Sequence, residues 1–293
     1  MVDQESKMLF IYVSEKMQRI KEIIDQVADT DLTVLIQGES GVGKELVARS
    51  IYYNSSRRIN SFVKVNCPAL PHELLESELF GYEKGAFTGA YRKKPGKFEM
   101  ANGGTIFLDE IAEMSPSLQA KLLQVLQDGE FSRLGDVKDV KVDVRVLVAT
   151  NKNIEQAMKD GRFREDLYYR LNVVNIKIPP LRERREEIPT LVDYFLNKFS
   201  QKYQKEVKPL PGSLMKAFLR HHWLGNIREL ENVIQRYVVL GGKKTIIEEL
   251  CPMGLIYETL KRTNWNRTKA ANLLNINYRT LLKKVKKEGG QVL

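Results

Sequence analysis

Residues 38–45 read GESGVGKE and lie between an apolar run, LTVLIQ (32–37), and an amphipathic stretch, LVARSIYYN. A buried strand entering a glycine-rich turn that opens a helix is the setting in which GxxxxGK holds phosphate. Gly38, Gly41 and Gly43 let successive backbone N–H groups turn toward an anion, and the helix start adds the positive end of its dipole. Glu39, Ser40 and Val42 complete the loop, and Lys44 is spaced to reach the β- and γ-phosphates. One position departs from the general pattern. Where Ser or Thr would ligate Mg²⁺ stands Glu45, which has no hydroxyl to offer.

Such a loop belongs in a parallel sheet wrapped by helices, and the first two-thirds of the 293 residues supplies one. FVKVN (62–66), GTIFLD (104–109) and VRVLVAT (144–150) join LTVLIQ as predicted strands. Between the last two, Ser115 can cap a helix with Pro116 in its first turn; Leu118, Leu122, Val125 and Leu126 form its apolar face, and Gly129 ends it. IPPLRERREEIP (178–189) breaks this region from an all-helical one. There Ile188, Leu191, Val192, Phe195, Leu196 and Phe199 recur at spacings of three and four. A further helix is predicted over 213–221, and after WLGN Asn226 can cap IRELENVIQRYVVL.

The carboxylates that phosphate chemistry needs follow an apolar strand in GGTIFLDE, at the strand end where open α/β sheets bind ligands. Asp109 is the candidate Mg²⁺ ligand and Glu110 the candidate for polarising the attacking water. VRVLVATN ends a second strand in Thr150 and Asn151, polar groups able to sense a γ-phosphate. GRFREDLYYRL carries Arg164 and Arg170, which on one helix would stand roughly 600° round and so not share a face perfectly.

GAFTGA (85–90) is apolar, glycine-flanked and surrounded by polar chain. Alone, such a hexapeptide is ordinarily a turn whose Phe enters the core; here its neighbours decide. Composition narrows the class: 43% hydrophobic and 29% charged residues describe an ordinary globular chain. No apolar run approaches the roughly 18–20 residues of a membrane span, and MVDQESKMLF lacks the order of a signal peptide. Two distant cysteines and three histidines form no metal-ligand pattern, which points to a reduced, cytoplasmic protein with no structural metal, and the absence of a long apolar run to no membrane partner.

The net charge of +10 is concentrated at the end: residues 254–293 hold nine Lys/Arg against two Glu. NRTKAANLLNINYRTLLKKVKK (266–287) reads as helix, turn, helix, with Thr268 as the first cap and Leu281, Leu282 and Val285 on the apolar side of the second helix. A basic amphipathic helix can equally lie on a membrane or bind another protein, but the preceding capped helix and tight turn favour the major groove of double-stranded DNA. Arg279, Thr280, Lys283 and Lys284 are the candidate DNA contacts.

In one order, the P-loop, GAFTGA, FLDE, FREDLYYRL, PPLRER and GNIRELENVI resemble the AAA+ domain of sigma-54-dependent bacterial transcriptional activators over roughly residues 8–240, and the tail resembles a Fis-type helix-turn-helix. The implied fold class is α/β: an AAA+ P-loop ATPase subdomain (1–179), an all-α lid (180–240), a linker (241–253) and a helix-turn-helix domain (254–293). The implied ligands are ATP and Mg²⁺. The resemblance assigns Asn66 to a switch that restrains Glu110, Asn151 to the first sensor, and Arg228 to a second sensor over the nucleotide. Arg164 and Arg170 match arginine fingers that act from a neighbouring subunit, implying a ring, usually a hexamer. Gly85, Ala86, Phe87, Thr88, Gly89 and Ala90 match the loop that touches sigma-54 and promoter DNA in the polymerase holoenzyme, with SRLGDVKDVK (132–141) as a second loop moving beside it.

Two departures from relatives are expected: the linker is short, and the chain starts too near the AAA+ domain to hold a receiver or other sensory domain. Such tails usually pair on two-fold-symmetric sites, so a dimeric tail is implied. The implied function is ATP-driven remodelling of sigma-54 polymerase from enhancer-like DNA. The alternative is a DNA-binding regulator whose AAA+ fold serves only nucleotide-dependent oligomerisation.

Overall fold

The computed structural model describes residues 12–206, 209–240, 256, 259, 260, 262–274 and 276–288. The chain divides into two units, Met1–Pro180 and Leu181–Leu293. In the first, α1 (Glu15–Val27) leads into β1 (Val34–Gln37), α2 (Lys44–Tyr53) and β2 (Phe62–Asn66). Next come α3 (His72–Phe80), the two-residue strands β3 (Gly81–Tyr82) and β4 (Lys94–Pro95), and the single turn α4 (Lys97–Met100). β5 (Thr105–Asp109), α5 (Pro116–Asp128) and the hairpin of β6 (Glu130–Ser132) and β7 (Asp139–Lys141) follow. The unit closes with β8 (Arg145–Thr150), α6 (Ile154–Lys159), α7 (Glu165–Leu171) and β9 (Val174–Lys177).

Five strands form one parallel sheet in the order β2-β5-β8-β1-β9. Its central strands β5, β8 and β1 are apolar through their middles because both faces are covered. Leu35, Ile106, Leu108, Val146 and Val148 point into a core shared with Leu75, Leu79, Leu118 and Leu122 of α3 and α5. The alternate residues Val34, Ile36, Phe107, Leu147 and Ala149 point into a second core with α1 and α2. The four strands expected from sequence are present. The fifth, β9, is not among them: its VNIK has polar Asn175 at the centre, tolerated because β9 is an edge strand paired only to β1. Asn175 Nδ2 donates to Gln37 Oε1 at 3.0 Å and to Asn172 Oδ1 at 2.9 Å.

Helix α5 is built as its sequence dictates. Ser115 Oγ accepts from Leu118 N, and Gly129 closes the helix at φ 67°, a conformation glycine adopts freely. Arg145, 2% exposed at the start of β8, donates to the carbonyls of Val27 and Ala28 and so satisfies the carboxyl end of α1 from inside the core.

In the second unit α8 (Ile188–Tyr203) buries all six residues of its expected apolar face, each contributing about 1.5–3 kcal/mol relative to exposure. α9 (Gly212–Arg220) and α10 (Asn226–Leu240) follow. Between them Trp223 is fully buried, with Nε1 donating to Phe218 O at 2.8 Å. Asn226 stands at the expected helix start, at φ 54°, and its Oδ1 also accepts from Leu181 N, tying α10 to the opening of this unit. The expected linker, 241–253, lies outside the described residues. In the tail, helices Arg267–Leu274 and Tyr278–Glu288 pack through Ala270, Ala271, Ile276 and Leu281. The first begins one residue before Thr268; Asn266 caps it instead, Oδ1 accepting from Lys269 N at 2.9 Å. Among the described residues no helix is long and apolar enough to cross a membrane.

Candidate functional site

The loop 38–43 links the carboxyl end of β1 to the start of α2, as the fold requires for phosphate binding. Gly41 at φ 78° and Gly43 at φ 105° take left-handed turns that a side chain would oppose, aligning the intervening N–H groups into a cradle. Gly38 N donates to Thr150 O at 3.2 Å, fastening the loop to the end of β8. Lys44 is 7% exposed; its Nζ donates to Gly38 O at 3.0 Å and lies 3.2 Å from Glu110 Oε1.

Glu110 is held from two sides. Besides Lys44, its Oε2 accepts from Asn151 N at 2.8 Å. Its backbone sits at φ 56°, ψ 51°, a left-handed conformation rare for a non-glycine residue and costing roughly 1–3 kcal/mol. That turn swings the carboxylate out of the β5 line and toward the phosphate loop. Asn66 pairs in register with Asp109 at the end of β2, but among the described residues Glu110 is held by Lys44 and Asn151, not by the Asn66 side chain. Asn151 reaches Glu110 through its backbone amide, which its side-chain identity did not foretell.

Asp109 fits a bound cation. Its Oδ1 is buried without a hydrogen-bond partner, and burial, then the adjacent Glu110 charge, push its carboxyl above the ordinary value against the pull of Lys44 and Lys64. An acid whose folded-state pKa is raised binds protons more tightly folded than unfolded. Its penalty therefore grows as pH rises through the unfolded value and is complete above the folded one. Asp109→Asn is expected to raise the melting temperature at neutral pH by a few degrees while abolishing Mg²⁺-dependent turnover; calorimetry at pH 7.5 checks the first part. Glu45 is otherwise engaged: Lys64 Nζ lies 2.5 Å from Oε2 and Arg49 Nε donates to Oε1 at 2.9 Å. Burial alone would raise this carboxyl, but the bonds from Lys64 and Arg49 outweigh it and hold the group below its ordinary value.

The two arginine candidates sit at different ends of α7. Arg164 is its N-cap residue rather than part of the helix, with Nη2 2.6 Å from Asp166 Oδ2. Arg170 donates twice to Leu126 O, at 3.1 and 2.7 Å, and lines a cleft of about 310 Å³ with Leu32, Thr33, Val144 and Val173. Those neighbours precede β1, β8 and β9, whereas the phosphate loop follows β1. β1 has four residues, and at about 3.3 Å per residue it sets the two ends roughly 13 Å apart. Arg170 therefore faces away from the phosphate loop of its own chain.

GAFTGA forms a tight, self-bonded turn. Gly85 N donates to Ala90 O at 2.8 Å and Ala90 N to Phe87 O at 3.0 Å, with Gly85 and Gly89 at φ 87° and 105°. Phe87 is 42% exposed and rests edge-on against Tyr82, ring centres 4.9 Å apart, so it does not enter the core. The loop between β6 and β7 lies against it: Glu83 N donates to Leu134 O at 3.0 Å, and a Cβ on Gly135 would meet Ala86 Cβ at 2.8 Å. Arg133 joins the base of both loops, reaching Glu99 at 2.5 Å and Glu83 at 3.2 Å.

Elsewhere, Arg228 is exposed in the first turn of α10. Beside it Glu229 accepts from Gly225 N and meets His221 Nε2, both at 2.9 Å. Arg279 is exposed and Thr280 half-buried at the start of the last helix, where Asn277 Oδ1 accepts from Arg279 N at 2.9 Å. Lys283 and Lys284 lie on the same helix, and their side chains fall outside what is described.

Three family models match in sequence: a sigma-54 interaction domain over residues 10–177, an AAA+ ATPase lid domain over 182–266, and a bacterial regulatory protein of the Fis family over 253–287. The chain belongs to the sigma-54-dependent transcriptional activator family. Among curated relatives, it is 54% identical over 226 residues to a Nif-specific regulatory protein of Herbaspirillum seropedicae, covering 77% of this chain and 42% of that protein. It is 45% identical to the regulatory protein AtoC of Escherichia coli (strain K12), covering 90% of this chain and 64% of that one. The chain thus spans about half the length of the curated relatives it matches. Among solved structures, NtrX of Brucella abortus in complex with ADP matches at TM-score 0.76 and 32% identity, over 96% of this chain and 70% of that one.

Several residues that organise the site carry no local sequence signal. Lys64, Arg133 and the fully buried Gln119 are ordinary members of their elements in the sequence; only tertiary folding brings them to Glu45, Glu99 and Arg164.

Proposed function

We propose that this protein is a ring-forming ATPase, of the hexameric kind, that binds enhancer-like double-stranded DNA and uses ATP hydrolysis to remodel the sigma-54 RNA polymerase holoenzyme for promoter opening. The observation that carries this reading is an exposed, glycine-hinged GAFTGA loop on the same α/β unit as a Lys44–Asp109–Glu110 phosphate site. The cradle 38–43 binds the phosphates of ATP, and Lys44 exchanges its contacts with loop carbonyls for phosphate oxygens. Asp109 would hold Mg²⁺, which would supply positive charge against the phosphates. Glu110 polarises the attacking water, the Asn151 amide fixes its carboxylate, and Arg228 serves as the second-sensor arginine. Arg164 and Arg170 serve the site of a neighbouring subunit, which makes turnover depend on assembly.

Hydrolysis does work on a partner only if the partner is contacted differently before and after. The hinged turn bearing Phe87 and Thr88, together with the β6–β7 loop against it, provides that difference against sigma-54 and promoter DNA. Arg279, Thr280, Lys283 and Lys284 hold DNA from a dimeric tail in the cytoplasm. The test is promoter melting by permanganate footprint with sigma-54 holoenzyme and ATP: the protein is expected to open the duplex, and full ATPase activity without opening would reject the reading. Thr88→Ala is expected to keep turnover near the parent's and lose opening, the same footprint serving as the measurement.

A further inference from the structure

Gln119 on α5 is fully buried, and its amide is bonded on both sides. Nε2 donates to Met114 O at 2.8 Å and to Arg162 O at 3.0 Å, while Oε1 accepts from Arg164 N at 2.9 Å. The three partners belong to two functional segments. Met114 ends the single 3-10 turn Ile111–Glu113 that follows Glu110, in which Glu113 N donates to Glu110 O at 3.0 Å and Met114 N to Ile111 O at 3.1 Å. Arg162 and Arg164 belong to the segment that opens α7. The 3-10 turn and the Gln119 amide thus join the catalytic-carboxylate turn to the arginine segment of the same chain through hydrogen bonds and one short stretch of backbone.

A polar side chain in a dry core is retained at a cost unless its bonds specify something, and a leucine of similar volume would pack there without demanding partners. We infer that Gln119 is a positioning residue: it fixes the Arg164 backbone relative to the Glu110 turn, so that the state of one subunit's nucleotide site sets the pose of the arginine it donates to its neighbour. This rests on the reading of Arg164 as a trans-acting finger. Gln119 touches no reacting atom; it acts through Arg164. Misplacing such a group by about 1 Å costs on the order of 10²-fold in rate.

The test compares full-length Gln119→Met, Gln119→Glu and Arg164→Ala proteins and the Gln119→Met/Arg164→Ala double variant. Readouts are fluorescent ADP affinity, kcat, KM, the Hill coefficient for ATP, and melting temperature. Gln119→Met is expected to bind ADP like the parent, lose at least about tenfold in kcat with KM little changed, and lower the Hill coefficient. The double variant is expected to be no slower than Arg164→Ala. Gln119→Glu keeps the acceptor for Arg164 N but sets a carboxylate against two carbonyls, so it recovers less than half of the lost rate. A Gln119→Met protein of lower melting temperature but parental kcat and Hill coefficient assigns the residue a purely structural role and overturns the inference. If Arg164→Ala itself turns over at the parental rate, the finger reading fails first. Additive losses in the double variant show that Gln119 does not act through Arg164 and also overturn the inference.

Discussion

Glu110→Gln is expected to lower ATP turnover by roughly 10²–10⁴-fold, the usual worth of a positioned general base, without weakening nucleotide binding. The geometry gives the reason for both halves. The amide oxygen of glutamine still accepts from Asn151 N, so the left-handed turn at position 110 and the loop it anchors persist. What is lost is the negative charge proposed to draw a proton from water. That same charge now holds Lys44 at 3.2 Å; removing it leaves Lys44 free for phosphate, so affinity stays level or rises. Phosphate release and fluorescent-nucleotide titration on the same preparation separate the two effects. Parental turnover in this variant would remove Glu110 from the chemistry.

The second large effect is expected at the arginines. Arg164→Ala and Arg170→Ala should each reduce turnover steeply, since an arginine finger is worth roughly 10³–10⁵ in rate. Arg170 faces away from the phosphate loop of its own chain, beside Leu126 and the residues preceding β1 and β9, so any direct action must be on another subunit. A finger-less subunit still owns an intact phosphate site, and a Glu110→Gln subunit still owns intact arginines. Mixing the two inactive proteins is therefore expected to restore measurable turnover, because some boundaries pair the good site with the good finger. Stable mixed assemblies with no recovery would contradict action across the boundary.

Much of this arrangement was legible because it is local. A GxxxxGK loop between strand and helix, an apolar strand ending in Asp109-Glu110, and a capped helix from Ser115 to Gly129 each declare themselves within a dozen residues. The apolar face of α8 was readable for the same reason: six residues at helical spacing have one way to be buried together. What was not legible depends on partners distant in sequence. β9 looks too polar for a strand until Asn175 finds Gln37 across the sheet edge. Glu45 reads as a missing metal ligand until Lys64, nineteen residues on, is found against it. The resemblance assigns Asn66 to a switch that restrains Glu110, yet Lys44 and the Asn151 amide hold Glu110 in this structure. Thr268 looked like a cap because threonine favours that position; Asn266 is placed one residue outside the helix and takes the role.

Whether nucleotide state moves the GAFTGA turn is decided by a distance. Tyr91 and Ile59, 87% and 86% exposed, are suited to paired spin labels after substitution by cysteine, one beside the turn and one on the sheet unit. Cys67 can stay, since burial pushes its thiol up to about 12 and keeps it unreactive; Cys251→Ser clears the other site. Doubly labelled subunits diluted into unlabelled protein are compared with ADP and with ADP–aluminium fluoride. Distance distributions displaced by several ångströms between the two states are expected; superimposable distributions would show that the turn does not follow the nucleotide.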